Sequence, residues 1–456
     1  MTKPPSWVQD AVFYQVFPDR FRNGDPSSDP PDVHPWGARP DNSSCFGGDI
    51  KGIVQGLDHI QSLGASALYL TPVFHARSNH KYDTTDYYTV DPQFSDEHTL
   101  RDLVREAHAR GMRIVLDGVF NHCGLEHPFF QDVVAKGRAS PYWDWFKVSG
   151  DQVVQKPEPN YVCWGGVPAM PEWNHANSEV TSYLLNVVRY WIRSCDIDGW
   201  RLDTVEYLPP DFVLRVRQAA KEEKPEAFVL GEVMGTAASW FKHKAIDGTM
   251  HYRLWEALVG FAAQGTLDGA AFAGFVRFMW GSYPPRNGRA CYTLLGSHDK
   301  ARFLTLSGGD ARRLQLGAAL LFTLPGAPAV YYGDEVGLEG GDDPDCRRCF
   351  PWDTGQWDQD TLELFRRLIA LRHKAPVLRR GSLTVGECTG KVASLVRRMD
   401  GQTAAIVANG GTTDVRAPSP GPGLWRDALE GDRINGGKLS LPRFGFKILL
   451  QGADTA

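Results

Sequence analysis

Between Val12 and about Ala375, short apolar runs alternate with stretches whose apolar residues recur every three or four positions. The runs at Val12–Phe17, Ala67–Val73, Arg113–Val119, Gly199–Asp203, Phe228–Val233, Thr293–Gly296 and Ala329–Tyr332 read as buried strands. The periodic stretches Leu100–Arg110, Thr181–Ser194, Phe212–Glu223 and Arg312–Thr323 read as amphipathic helices. Strand and helix in alternation predict a parallel sheet with crossover helices. An eighth strand near Ala245–Met250 would close the sheet into a (β/α)8 TIM barrel. The competing open, doubly wound sheet lacks its usual Gly-rich phosphate loop after the first strand.

Two regions break the alternation. Residues 121–174 are aromatic-rich and short of helical periodicity, which predicts an inserted loop subdomain. After Ala375, short β-rich segments at Ser382–Gly386, Val392–Arg397, Thr403–Val407 and Lys438–Leu441 are joined by Gly-rich turns. They predict a C-terminal antiparallel β-sandwich. The expected division is an α/β barrel over 1–120 and 175–375, the insertion over 121–174 and the β domain over 376–456.

Composition narrows the function classes. The chain has 456 residues, 49 basic against 54 acidic, for a net charge of -5, which speaks against nucleic acid as the main partner. No apolar run reaches the length of a membrane span, and Met1–Ser6 lacks the apolar core of a signal peptide. The eight cysteines are scattered, as suits reduced thiols in a cytoplasm. Cys346 and Cys349 form a lone C-x-x-C, too little for a metal or redox motif.

Candidate chemistry gathers at strand ends. Asp203 closes Gly199–Asp203, and Arg201, two residues earlier, leaves the strand on the same face. A neighbouring guanidinium is expected to keep Asp203 ionised. Glu232 closes the next strand and Asp299 follows a later one. In a parallel barrel such ends share one rim, so three acids distant in sequence converge. A carboxyl pair ~5–5.5 Å apart is what a retaining glycosidase uses, one as nucleophile and one as acid/base. His122 and His298 follow strands too, and a neutral imidazole can donate to and accept from sugar hydroxyls. A metal site built from these histidines and the acids is the alternative. Asn23, Asp25 and Asp29, with Gly47 and Asp49, offer oxygen ligands for a hard cation such as Ca2+, or else an Asx turn.

These residues carry a resemblance. Asp117–His122, Met170–Asn174, Gly199–Glu206, Gly231–Val233 and Leu295–Asp299 match the α-amylase family of retaining glycoside hydrolases. Val12–Phe21, Asn79–Thr84 and Gly340–Arg348 are most similar to its neopullulanase, cyclomaltodextrinase and maltogenic amylase group. The resemblance implies an α-glucan hydrolase with Asp203 as nucleophile, Glu232 as general acid/base and Asp299 binding sugar hydroxyls. It implies that Arg201, His122 and His298 line the subsite of the attacked sugar. Tyr82 would stack on that sugar, Asp117 support the shell, and Asp343 and Arg347 hold the next sugar. It also implies calcium on Asn23, Asp25, Asp29, Gly47 and Asp49, with Ser28 in place of a usual Asn ligand. The group's extra N-terminal β-domain has no counterpart before Trp7, which favours a monomer. Thr204-Val205-Glu206 and Glu172-Trp173 depart from the group's pattern at positions expected to touch acceptor-side sugars. A glucosyltransferase or isomerase using the same intermediate, and a non-catalytic carbohydrate-binding relative, are the competing functions.

Overall fold

The computed structural model describes residues 3–452. Met1 and Thr2 of the N-terminal stretch, and residues 453–456 of the expected β domain, lie outside them. Eight parallel strands close a barrel in chain order: Phe13–Val16, Ala67–Leu70, Arg113–Gly118, Gly199–Leu202, Phe228–Val233, Gly248–His251, Tyr292–Leu294 and Ala327–Tyr331. The sixth confirms the expected closing strand. Side chains fill the interior rather than leaving a pore: Phe13, Tyr69, Val115, Phe228, Leu230, Met250, Tyr292 and Leu294 pack together along the axis.

Helices start where a short polar side chain can take a free N–H. Asp49 accepts from Gly52 N at the head of Ile50–Leu63, and Asp96 from Thr99 N at the head of Glu97–Ala109. Gly64 ends the first of these at φ 87°, a left-handed turn that suits glycine. The apolar faces of these helices join the strands' outer faces in one core.

Three features were not read from the sequence. An antiparallel hairpin, Phe74–Ala76 with Thr84–Val90, follows the second strand and carries Tyr82 in its loop. The insertion contains a true helix, Pro128–Lys136, where no helical period was expected. It is held by an aromatic cluster of Phe129, Phe146, Trp145 and Trp173 around His127. The C-terminal domain adds Val415–Pro418, Leu424–Asp427, Arg433–Asn435 and Phe446–Gln451 to the expected strands. It forms a six-stranded antiparallel sheet and a two-stranded one, packed on Val396, Val407, Trp425, Leu439 and Leu449. No helix among the described residues is long and apolar enough to cross a membrane.

Candidate active site

The register of adjacent barrel strands sets the site. Asp117 on the third strand pairs with Arg201 on the fourth, and Leu202 with Gly231 on the fifth. Asp203 and Glu232, each one residue further on, therefore emerge side by side at the C-terminal rim. Arg201 lies beneath them, fully buried, and one guanidinium meets three carboxylates. Its Nη1 bonds Asp117 at 2.9 Å and Asp203 Oδ1 at 2.8 Å, and its Nη2 meets Glu232 Oε2 at 2.9 Å. Burial opposes its charge, but the carboxylates raise its pKa well beyond the ordinary value.

The expectation that Arg201 simply holds Asp203 ionised needs correction. Burial comes first and pushes the Asp203 carboxyl up to about 7; Arg201 opposes it and Glu232 adds to it. Burial also raises Glu232, with Arg201 opposing and Asp299 adding. Two buried carboxyls this close titrate as a pair, and near neutral pH the pair retains a proton. Asp117 is pushed up to about 6 by burial, with Arg201 opposing. Asp299 behaves differently. Burial raises it, but His298, Arg201, Arg347 and Lys300 outweigh that and leave it below the usual range.

A hydrogen-bonded relay joins the remaining expected residues. Gln15 Nε2 donates to His298 Nδ1 at 2.7 Å, which fixes the tautomer with the proton on Nε2. That Nε2 donates to the Tyr82 hydroxyl, which in turn donates to Asp117 Oδ2 at 2.9 Å. Tyr69 donates to the same Asp117 oxygen at 2.6 Å. The Tyr82 and His298 rings lie nearly parallel, 9° apart. Burial lowers His298 to about 3 and His122 to about 4, so both imidazoles are neutral at physiological pH. His122 donates from Nε2 to the Tyr82 carbonyl at 3.1 Å, and its ring packs near Trp164. On the far side of Asp299, Arg347 Nη2 reaches Asp299 Oδ1 at 3.5 Å and Asp343 Oδ2 at 2.9 Å. The ten residues expected to hold or attack the substrate thus share one rim.

Gln15 was not singled out beforehand, and Thr204 and Glu206, expected near acceptor-side sugars, bond within the rim itself. Gln15 is a buried polar residue within an otherwise apolar strand, and that contrast was the available signal. Thr204 donates its N–H to Glu232 Oε2 at 2.8 Å and its hydroxyl to Asp203 Oδ2 at 3.2 Å. Glu206 accepts from Met234 N at 2.8 Å, tying the loop after the fourth strand to the one after the fifth. Trp173, expected near acceptor-side sugars, is instead fully buried and donates to the Tyr87 hydroxyl at 3.2 Å. It belongs to the insertion's core.

The expected calcium loop converges in part. Asn23 Nδ2 lies 2.8 Å from Asp29 Oδ1, and Asn23 Oδ1 is buried with no partner among the described residues. A Cβ on Gly47 would fall 2.3 Å from Asp29 Oδ1, so the close approach requires glycine. An orphaned acceptor beside a carboxylate fits a hard cation. The Asp25 carboxylate instead meets Lys51 and Ser27. The Asp49 carboxylate caps its helix and accepts from Gly24 N and Asp25 N at 3.0 and 2.7 Å. The unpartnered Asn23 Oδ1, with Asp29 and Gly47 beside it, fits the ion best, although the Asp29 carboxylate accepts from Asn23 Nδ2 at 2.8 and 3.0 Å; the Asp25 and Asp49 side chains are engaged elsewhere. Among the described residues no group of three or more His, Cys, Asp or Glu is placed to hold a metal.

Comparison with known proteins bears on this rim. A family model described as alpha amylase, catalytic domain, matches residues 15–361. The chain is 42% identical over 452 residues to a cyclomaltodextrinase of Geobacillus thermopakistaniensis, covering 97% of this chain and 77% of that protein. It is 39% identical to neopullulanase 2 of Thermoactinomyces vulgaris, covering 96% and 76%. Among solved structures it is similar to the cyclic α-maltosyl-(1→6)-maltose hydrolase of Arthrobacter globiformis. That match has a TM-score of 0.93 and 40% identity over 99% of this chain and all of the other.

Proposed function

The chain belongs to the alpha-amylase family of glycoside hydrolases, and from that premise we propose the part each rim residue plays in a retaining hydrolysis of α-1,4-linked glucans. Asp203 attacks the anomeric carbon while Glu232, carrying the pair's proton, protonates the leaving glycosidic oxygen. A glycosyl ester forms on Asp203. Glu232, now a carboxylate, takes a proton from water, the water oxygen bonds the anomeric carbon, and Asp203 leaves. The observation that carries this reading is the single Arg201 guanidinium bonded to both carboxylates at 2.8 and 2.9 Å. It ties the two acids to one guanidinium at one rim.

Asp299, ionised, accepts from sugar hydroxyls and strengthens those bonds as the ring gains positive charge. His298 and His122, neutral, bind hydroxyls without repelling that charge. Tyr82 presents its ring to the sugar, and Asp117 anchors Arg201 and Tyr82. Asp343 and Arg347 hold the next sugar on the non-reducing side. The substrates proposed are malto-oligosaccharides, cyclodextrins and related cyclic or branched glucans. The names of the similar proteins support this range. A structural Ca2+ at Asn23, Asp29 and Gly47 completes the reading, supported by the unpartnered Asn23 Oδ1. The proposed compartment is the cytoplasm, in keeping with eight free cysteines.

A product time course on maltotriose, maltoheptaose, β-cyclodextrin and pullulan tests the substrate range. Shorter α-configured sugars from maltotriose support hydrolysis. Net formation of longer oligomers, with little glucose or maltose, would make the protein a transferase.

A further inference from the structure

Thr204, like Arg201, touches both reacting carboxylates. Its backbone is left-handed, φ 44° and ψ 45°, a conformation that a β-branched residue rarely adopts. Such strain persists only where the surroundings over-determine it. Here the conformation aims the N–H at Glu232 Oε2, 2.8 Å away, while the hydroxyl reaches Asp203 Oδ2 at 3.2 Å. Glycine would reach the same backbone without strain and keep the N–H. Glycine would lack the hydroxyl.

The four carboxylate oxygens are thereby distinguished. Glu232 Oε2 takes two donors, Thr204 N and Arg201 Nη2, so the acid's proton belongs on Oε1. Asp203 Oδ1 is held by Arg201 Nη1, and among the described residues Oδ2 carries only the Thr204 hydroxyl. Oδ2 is the oxygen free of a charged donor and the better nucleophile.

We propose that Thr204 is a positioning residue that presents Asp203 Oδ2 for attack and stabilises that same oxygen as it leaves; this rests on the reading of Asp203 as nucleophile. In the first step an Oδ2 lone pair forms the bond to the anomeric carbon. The bond to the leaving oxygen breaks, and its electron pair goes to that oxygen, which takes the proton from Glu232 Oε1. Charge on Oδ2 falls, and the hydroxyl's bond to it weakens. In the second step the water oxygen bonds the anomeric carbon and its proton returns to Glu232. The pair of the carbon–Oδ2 bond returns to Oδ2, where negative charge reappears and the Thr204 O–H bond strengthens. The hydroxyl therefore assists the second step more than the first.

The test is Thr204→Val, with Thr204→Gly and Thr204→Ser, assayed on an aryl α-maltoside with a good phenolate leaving group. Rapid mixing separates the first step, read as a phenolate burst, from steady turnover. In Thr204→Val and Thr204→Gly, kcat falls about tenfold while kcat/KM stays within about threefold of wild type, and a burst of one phenolate per enzyme appears. Thr204→Ser retains wild-type values, and Thr204→Gly has the higher Tm of the two impaired variants. An equal fall of kcat and kcat/KM in both Thr204→Val and Thr204→Gly, or no change in either, overturns the proposal. Asp203→Asn is the control for the parent reading: near-normal turnover there would remove Asp203 as nucleophile whatever Thr204 does.

Discussion

Replacing Arg201 with lysine isolates the electrostatic work of the site. The wild-type guanidinium serves Asp117, Asp203 and Glu232 at 2.9, 2.8 and 2.9 Å. An ammonium keeps the charge but has no planar fork, so it cannot hold all three in this geometry. Each charge-assisted hydrogen bond lost is worth about 1.5–3 kcal/mol, or roughly one to two pKa units at 1.36 kcal/mol per unit. The Asp203 carboxyl already stands at about 7 because burial outweighs Arg201. Weakening Arg201 leaves burial less opposed, so the pair holds its protons to higher pH. The acid limb of kcat/KM should then move up by about one to two pH units. Activity at neutral pH should fall about 5- to 50-fold and recover partly as pH rises. The assay is the pH profile of kcat/KM on maltotriose for Arg201→Lys, with Tm recorded alongside. An acid limb that stays in place, whatever the loss of activity, would refute the idea that Arg201 sets the ionisation of the pair.

Tyr82→Phe keeps the ring but cuts the relay from His298 to Asp117; kcat/KM on maltotriose should drop about 10-fold or more, since a buried group left unpaired costs about 1–3 kcal/mol. Asp203→Asn should abolish turnover yet raise Tm at pH 8. A carboxyl whose folded pKa is raised favours folding while protonated and loses that advantage as pH climbs from its unfolded value toward about 7. The Tm gap between Asp203→Asn and wild type should accordingly shrink when both are scanned at pH 5. Exhaustive chelation should lower Tm by a few degrees in wild type and leave Asp29→Ala unchanged; an unchanged wild type would reduce the Asn23–Asp29 loop to a turn.

The barrel was legible because seven of its strands read as apolar runs and 3.6-residue periods mark the helices between; the sixth, Gly248-Thr249-Met250-His251, is too mixed to read as a run and was placed by the need to close the sheet. The rim acids were legible because parallel topology sends every strand end to one face. The hairpin carrying Tyr82 was not, since its strand residues Thr84–Val90 mix polar and apolar positions over an irregular register. Nor was the helix Pro128–Lys136, whose burial is set by aromatic partners elsewhere in the insertion and in the helix Ser178–Cys195. Trp173 shows the limit of motif position: its neighbours in sequence suggest a sugar contact, but its ring fills the insertion's core. Asp203 shows the same for charge. Sequence reveals the arginine two residues away but not the burial that outweighs it.

Glu232→Gln mixed with α-maltosyl fluoride tests the paired-carboxylate site directly. Fluoride needs no acid to leave, so the glycosyl ester forms, and without the Glu232 carboxylate water is slow to remove it. Peptide mass spectrometry after acid quenching should find the added sugar on Asp203. An adduct on another residue, or none while fluoride is released in a burst, would contradict the account.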